Sequence, residues 1–224
     1  MKQAVTIGIV GGTGQLGSGL ALRWLTAGHA VVVGSRDQTK AEQAKQDLTK
    51  VLTERGVNAD KLSVATNEQA AEQADVVVLT VPYSHHALTL ESIKPLVQNK
   101  ILIDVTVPLR PPKVGTVQLP EAGSAAQEAQ QLLGDDVRVV SAFQNVAAHH
   151  LQHEQAIDCD VLVAGNDKQA REQVVALVND AGMTGFSVGP IANAAAAEAL
   201  TSVLIQLNRQ FKCHAGIRIS GLPS

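Results

Sequence analysis

The sequence has few aromatic residues, few cysteines and no large excess of charge, and each shortage excludes a class of protein. Aromatic residues make up 2% of the 224 residues, so the core must be built from Val, Leu, Ile and Ala, which suits a buried parallel sheet. The net charge of −3 argues against nucleic acid or an anionic membrane as the main partner. Cys159 and Cys213 show no CxxC or other metal-binding spacing, which favours reduced thiols in a cytoplasmic protein.

Long apolar runs and several familiar catalytic motifs are absent as well. No run approaches the ~20 residues that span a bilayer. We expect residues 1–3 to lead directly into an apolar strand, without a targeting segment. Without GxSxG or HExxH, the sequence gives no support to a serine hydrolase or a zinc protease. We therefore expect a cytoplasmic protein with another chemistry.

The most informative stretch lies at the beginning of the chain. Apolar residues at 5–10 run into the segment GGTGQLG at 11–17, and a helical pattern follows. Strand, glycine turn and helix start together form the arrangement that binds a dinucleotide pyrophosphate. Gly12 permits a sharp turn, Gly14 lets the backbone approach the phosphates, and Gly17 lets the helix pack close to the strand. The free N–H groups at the helix start would face the anion.

The end of the second predicted strand indicates which dinucleotide is bound. An NAD site places Asp or Glu there, whereas an NADP site places a hydroxyl and an arginine there for the 2′-phosphate. This chain has Ser35 and Arg36, with Lys40 one turn further on. The alternative is a solvated basic helix start, but the missing acid and the bidentate fit of arginine favour NADP.

Strand and helix patterns alternate along the rest of the chain. The predicted strands cover residues 30–34, 62–66, 75–81, 101–105, 137–141, 161–164 and 186–188. The predicted helices cover residues 37–55, 67–73, 84–97, 124–133, 167–179 and 192–211. This order predicts an α/β, Rossmann-like, doubly wound and mainly parallel sheet with a small C-terminal extension.

Ligands of such sheets bind outside the carboxyl ends of the strands. The glycine turn and Ser35-Arg36 are predicted at two of those ends. Three more segments are predicted at the others, namely Val81-Pro82-Tyr83, Thr106-Val107-Pro108 and Phe143-Gln144-Asn145-Val146. Pro82 and Pro108 either wall the cleft or merely end strands, and Tyr83 is either a stacking ring or a surface cap. The irregular segment 108–123 is long enough to belong to a binding site.

The histidines provide no convincing catalytic base. His85 and His86 lie at the start of a predicted helix, where the dipole is expected to lower their basicity. Two of His149, His150 and His153 can share a helical face, which suggests a metal site. No further ligand motif accompanies them, so a polar helix face near a subunit contact is the favoured interpretation and no metal is assigned.

Several segments together carry a resemblance to a known family. The opening IGIVGGTGQLGSGLALRW, the following VVVGSR, and the segments LTVP, GSAAQE, SAFQNV and AGIRISGL resemble the NADPH-dependent reductases of the deazaflavin coenzyme F420. The similarity extends over essentially the whole chain.

The resemblance implies hydride transfer between the nicotinamide of NADP(H) and coenzyme F420 in one cleft. It implies a division into an NADP-binding Rossmann domain at 1–145 and a smaller C-terminal portion at 146–224 that contributes to the second-substrate cleft, and it implies a homodimer. The resemblance also implies roles for individual residues. The pyrophosphate would be held by Thr13, Gly14, Gln15 and Leu16, and the 2′-phosphate by Ser35, Arg36 and Lys40. The nicotinamide would lie beside Val81, Tyr83 and Val107, and its carboxamide and the deazaflavin would lie near Gln144, Asn145 and Val146.

Two positions depart from the family pattern and leave the second substrate open. The family has Trp at the position of Tyr83 and can have His at the position of Gln144. An NADP-dependent reductase of a flavin, a quinone or ferric iron is one alternative, and a non-catalytic NADP-binding sensor is another. Arg110 and Lys113 are candidates to bind the acidic tail of the deazaflavin, or else plain surface charges.

Overall fold

The computed structural model describes residues 4–153, 155 and 157–222, so the predicted direct entry of residues 1–3 into the first strand lies outside the described residues. Its strands are β1 (Thr6–Val10), β2 (Ala30–Gly34), β3 (Leu62–Ala65), β4 (Val76–Leu79), β5 (Ile101–Asp104), β6 (Arg138–Ser141), β7 (Asp160–Gly165) and β8 (Thr184–Ser187). Its helices are α1 (Gln15–Thr26), α2 (Gln38–Glu54), α3 (Asn67–Gln73), α4 (His86–Ile93), α5 (Ala125–Leu133), α6 (Ala148–Leu151), α7 (Lys168–Asp180) and α8 (Ala194–Phe211).

These strands form one eight-stranded sheet in the order β3-β2-β1-β4-β5-β6-β7-β8. The first six strands are parallel to one another, β7 is antiparallel to β6, and β8 is parallel to β7. The predicted Rossmann-like, mainly parallel sheet is confirmed. The order reverses beside β1, so β1 and β4 border the crevice where doubly wound sheets bind ligands.

Helices cover both faces of the sheet and form two apolar clusters. On one face, Trp24 of α1 is fully buried, donates from Nε1 to the Leu177 carbonyl at 2.8 Å and meets the Phe143 ring edge-on with centroids 5.9 Å apart. On the other face, aliphatic residues of α4 and α5 pack against β4 and β5. Apart from these two rings, Cys159 and Met183, the residues of the two clusters are Val, Leu, Ile and Ala, as the scarcity of aromatics predicts.

Side-chain caps fix where several helices begin. Asp37 accepts from the Lys40 N–H at 3.2 Å, as the sequence predicts, and Ser124 accepts from the Gln127 N–H at 3.0 Å. Thr66 forms a full capping box with Gln69 at the start of α3. Each cap satisfies an N–H group that would otherwise have no partner.

The predicted helix at 84–97 is interrupted. A 3-10 turn at Tyr83–His85 precedes α4, and a second at Lys94–Leu96 follows it. The second turn contains Pro95, which has no N–H to donate and so cannot continue the α-helical hydrogen-bond series.

Candidate functional site

A cavity of about 950 Å³ opens at the carboxyl ends of β1, β2, β4 and β5. The predicted site residues that line it are Thr13, Gly14, Gln15, Leu16, Gly17, Ser35, Arg36, Lys40, Val81, Pro82, Tyr83 and Val107. Gly12, Gln144, Asn145 and Val146 are not among the lining residues. The glycine turn, the β2 end and the segments after β4 and β5 therefore meet in one space.

The glycine turn is shaped by close backbone contacts. Gly11 has a φ of +74°, and the Gly12 N–H donates to the Gly34 carbonyl at 2.9 Å. A Cβ on Gly12 would lie 2.8 Å from the Ile9 carbonyl oxygen, and one on Gly17 would lie 2.7 Å from the Gly12 Cα. Neither position has room for a side chain. Gly12 does not line the cavity, but it permits the close packing that shapes the glycine turn.

The start of α1 is open to an anion. Gly14 is its N-cap, no side chain caps it, and no acidic residue lies in the first turn. A Cβ on Gly14 would meet nothing within 4 Å. The free N–H groups and the positive end of the helix dipole thus adjoin empty space, which fits a pyrophosphate.

The end of β2 presents two unpaired cations to the same cavity. Arg36 and Lys40 are exposed, and among the described residues neither forms an ion pair. The neighbouring Asp37 carboxylate is engaged as the α2 cap, and the Ser35 hydroxyl accepts the Asp37 N–H at 3.1 Å. This arrangement suits a phosphate monoester.

Tyr83 forms part of the cavity wall rather than a surface cap. Its hydroxyl donates to Glu128 Oε2 at 2.9 Å, and the Arg110 guanidinium lies 5.7 Å from the ring centroid. Burial raises the pKa of Tyr83, and Glu128 raises it further while Arg110 opposes the shift. The Tyr83 side chain is therefore a neutral ring, positioned by Glu128 at its hydroxyl and by Arg110 over its ring.

A buried histidine–carboxylate pair lies beside Tyr83, and the sequence did not reveal it. His86 Nε2 is 2.7 Å from Asp104 Oδ2, and both side chains are almost fully buried. Burial alone would lower the pKa of His86, but the Asp104 carboxylate, with Glu128 and Glu198, raises it. The expectation of lowered basicity is wrong for His86 because the hydrogen bond and the charge of the Asp104 carboxylate in direct contact outweigh the effect of burial. The signal was an acidic residue ending the apolar strand β5.

Glu198 of α8 is a second buried acid that sequence patterns missed. Its carboxyl oxygens accept the Ala125 and Ala126 N–H groups at 2.7 and 3.1 Å, so it caps α5 from across the fold. Burial raises its pKa to about 8, against the opposing effect of these two hydrogen bonds.

The segment 144–146 holds neighbouring elements together through its side chains. Gln144 Nε2 donates to the Asp104 carbonyl at 2.8 Å, and Asn145 Nδ2 donates to the Ala197 carbonyl at 2.8 Å. Both residues are buried, and Val146 is half-buried. The preceding Phe143 has a φ of +72°, a left-handed conformation that bulky side chains rarely adopt.

The irregular segment 108–123 borders the cavity. Leu109, Pro111 and Val114 line it, and Gln206 of α8 donates to the Gly115 carbonyl at 3.3 Å. The segment is thereby tied to α8. Sequence reasoning suggested its involvement, but not these contacts or those of Asn67 and Thr80, which also line the cavity.

The histidines at 149–153 form a cluster with His214. His149 and His153 approach through their Nε2 atoms at 3.3 Å, and the His214 ring stacks on His149 with centroids 4.7 Å apart. Among the described residues, no group of three or more His, Cys, Asp or Glu side chains is arranged to hold a metal ion. Cys159 and Cys213 are both free thiols, and no described helix has the length and apolar character to cross a membrane.

Comparisons with known proteins give consistent matches. A family model described as NADP oxidoreductase, coenzyme F420-dependent, matches residues 6–108. The chain is 41% identical to the F420-dependent NADP reductase of Methanothermobacter thermautotrophicus, over 97% of this chain and 95% of that protein. It is 38% identical to the F420-dependent NADP reductase of Methanocaldococcus jannaschii, over 96% of this chain and 98% of that protein.

Solved structures show the same architecture. A putative F420-dependent NADP reductase from an Arthrobacter strain superposes with a TM-score of 0.77 at 24% identity, covering 94% of this chain and 96% of the other. An imine reductase from Myxococcus stipitatus, in complex with NAD+, gives a TM-score of 0.63 at 20% identity, covering 95% and 62%. At these identities the likeness establishes the fold.

Proposed function

The chain belongs to the family of coenzyme F420-dependent NADP oxidoreductases, and we propose that it transfers a hydride between NADP(H) and coenzyme F420. The observation that carries the proposal is the meeting of the glycine turn, the Ser35-Arg36 pair and the Tyr83 wall in one cavity. A dinucleotide needs a cradle for its pyrophosphate, a discriminator at its ribose and space for its reactive ring.

We propose that the pyrophosphate is held at the start of α1. The backbone of Thr13, Gly14, Gln15 and Leu16 adjoins the open N-terminus of the helix, while Gly12 and Gly17 permit the close packing beneath it. Backbone N–H groups are suited to this task because they are fixed by the helix before the anion arrives.

We propose that Arg36, Ser35 and Lys40 bind the 2′-phosphate. Arg36 follows the end of β2 and Lys40 lies in the first turn of α2. Both are exposed with no competing ion pair among the described residues, and Asp37 is engaged as the cap of α2. Selection of NADP(H) over NAD(H) follows from two positive charges where an NAD site would have an acid.

We propose that the nicotinamide lies along Val81, Pro82, Tyr83 and Val107, with the deazaflavin beside it. Gln144, Asn145 and Val146 would border the two rings. The amide nitrogens of Gln144 and Asn145 are bonded within the protein, whereas Gln144 Oε1 has no partner among the described residues. Contacts from this segment would therefore come from its backbone, from Val146 and from Gln144 Oε1.

The chemistry itself is supplied by the two coenzymes, since the nicotinamide and the deazaflavin exchange a hydride directly when bound. The protein contributes binding, orientation and exclusion of water, and positioning alone accounts for a large part of such a rate enhancement. No acid–base side chain is therefore assigned as catalytic.

We further propose that residues 1–145 bind NADP and that residues 146–224 contribute to the cleft of the second coenzyme. We propose a homodimer, because Val203, Leu207 and Phe211 lie exposed four residues apart on α8 and form an apolar stripe of the kind that subunits cover. A cytoplasmic location is proposed because the free thiols Cys159 and Cys213 suit a reducing compartment.

The test is to mix the protein with NADPH and oxidised coenzyme F420 and follow the visible absorbance of the deazaflavin. We expect it to bleach, in proportion to NADPH consumed. Intact absorbance, with NADPH binding confirmed by titration, would contradict the proposal. Parallel reactions with a flavin, a quinone or ferric iron would then identify another acceptor, and no oxidation with any acceptor would indicate a sensor.

A further inference from the structure

Asn67 lines the cavity between the glycine turn and the end of β2. It is the first residue of α3, directly after the carboxyl end of β3. Its position is fixed by the Thr66–Gln69 capping box and by the tight seat of α3 on β1, where a Cβ on Gly8 would lie 2.1 Å from the Ala70 carbonyl oxygen. The side chain is 4% exposed and lines the cavity.

The side-chain amide of Asn67 reaches the glycine turn. Its Oδ1 accepts the Gly11 N–H at 3.0 Å, across 56 residues of sequence. A Cβ on Gly34 would lie 3.0 Å from the same Asn67 oxygen. Asn67 therefore sits between the pyrophosphate turn and the β2 end, which continues into Ser35 and Arg36.

The hydrogen bond from Gly11 determines how the Asn67 amide is oriented. A backbone N–H donates only to the oxygen, so the NH2 group must occupy the other side. Within the described part of the chain, Nδ2 finds no acceptor. A donor without a partner, on a side chain that lines a cavity, is available to a ligand oxygen there.

We propose that Asn67 is a positioning residue for the dinucleotide. Its oxygen orients the glycine turn, and its NH2 group donates to an oxygen of the adenosine ribose or the adjoining phosphate. This inference rests on the proposed function, because it takes the cavity to hold NADP(H). The contacted part is common to NADPH and NADH, so Asn67 contributes to affinity for both, whereas Arg36 acts only on NADPH.

The test is to compare Asn67→Asp and Asn67→Ala with the unmodified protein. Asn67→Asp keeps the acceptor for Gly11 but replaces the donor with a carboxylate, so the Kd values of NADPH and NADH, measured by fluorescence titration, should both rise by about 10-fold or more. Asn67→Ala removes the donor without adding charge and should also weaken both, while lowering Tm through the unpaired Gly11 N–H. Unchanged affinity in both variants would overturn the inference.

The matched control is Asn179→Asp. Asn179 Oδ1 likewise accepts a backbone N–H, from Gly185 six residues further along the chain at 3.0 Å, but the residue is exposed and borders a different cavity. The Asn179→Asp variant should leave the Kd values of NADPH and NADH unchanged, which separates local repulsion at Asn67 from a general effect of added charge.

A rise in the Kd of NADPH alone would also overturn the inference, since Asn67 would then act on the 2′-phosphate. If the unmodified protein binds neither dinucleotide, the proposed function fails instead. Should Asn67→Asp not fold, the NADPH-induced rise in Tm of Asn67→Ala decides, and it must be smaller than that of the unmodified protein.

Discussion

Replacing Arg36 with alanine should separate the two nicotinamide dinucleotides. A hydrogen bond to a charged group contributes roughly 1.5–3 kcal/mol, which corresponds to about 10- to 150-fold in affinity. Arg36 is exposed, so solvent screens its charge, and in the variant Lys40 remains close by in the first turn of α2. The lower end of the range applies, and we expect the KM of NADPH to rise about 10-fold. The KM of NADH, which has no 2′-phosphate, should change by less than about twofold.

The assay is steady-state oxidation of each dinucleotide with oxidised coenzyme F420 as acceptor, with Arg209→Ala as control. Arg209 is an exposed arginine in the last turn of α8, so its removal changes the net charge equally without touching the cavity lining. An equal rise in the KM of NADPH and NADH would refute the assignment of Arg36 to the 2′-phosphate. An effect of the same size in the control would attribute the change to overall charge.

Three further predictions concern the buried acid Glu198 and the glycines at positions 17 and 14. The pKa of Glu198 lies at about 8 in the folded protein, against 4.5 for a glutamate side chain in water, so its stabilising contribution is complete below pH 4.5 and is lost as pH rises through 8. Between those values, the free energy of unfolding should fall more steeply with pH in the unmodified protein than in Glu198→Gln, by up to about 1.4 kcal/mol per pH unit, and parallel curves from denaturant titrations would contradict this. Gly17→Ala places a methyl group 2.7 Å from the Gly12 Cα and should lower stability by about 1–3 kcal/mol. Gly14→Ala should leave Tm unchanged yet weaken NADPH binding, and thermal melts with ligand titrations would show whether the two effects separate.

The parts of the fold that sequence predicted well are those set by local pattern. The β1–α1–β2 unit follows from an apolar run, a glycine turn and a helical repeat within 34 residues. The Asp37 cap follows from a polar residue before an amphipathic segment. Each of these depends on neighbours in sequence, where spacing carries the information.

The parts that sequence did not predict depend on contacts between distant segments. The His86–Asp104 pair joins α4 to β5, Glu198 caps a helix 72 residues away, and the Asn67 amide bonds to Gly11 across 56 residues. No periodic pattern marks such partners. The reversed direction of β7 is of the same kind, because strand patterns are alike in parallel and antiparallel pairs.

For the segment 144–146, the family resemblance predicts a location at the rings, whereas the structure gives the hydrogen bonds of its side chains. The resemblance assigns Gln144, Asn145 and Val146 to the ring site by position along the chain. The structure shows the Gln144 and Asn145 side chains turned toward Asp104 and Ala197, which sequence position alone does not determine. Their role at the rings remains a prediction for mutagenesis.

The most direct test of the account is a crystal structure of the protein soaked with NADPH. We expect the pyrophosphate against the N–H groups at the start of α1, the 2′-phosphate within hydrogen-bonding distance of Arg36, and the nicotinamide beside Tyr83. An empty groove at the glycine turn, or an Arg36 guanidinium turned away from the adenosine end, would contradict it.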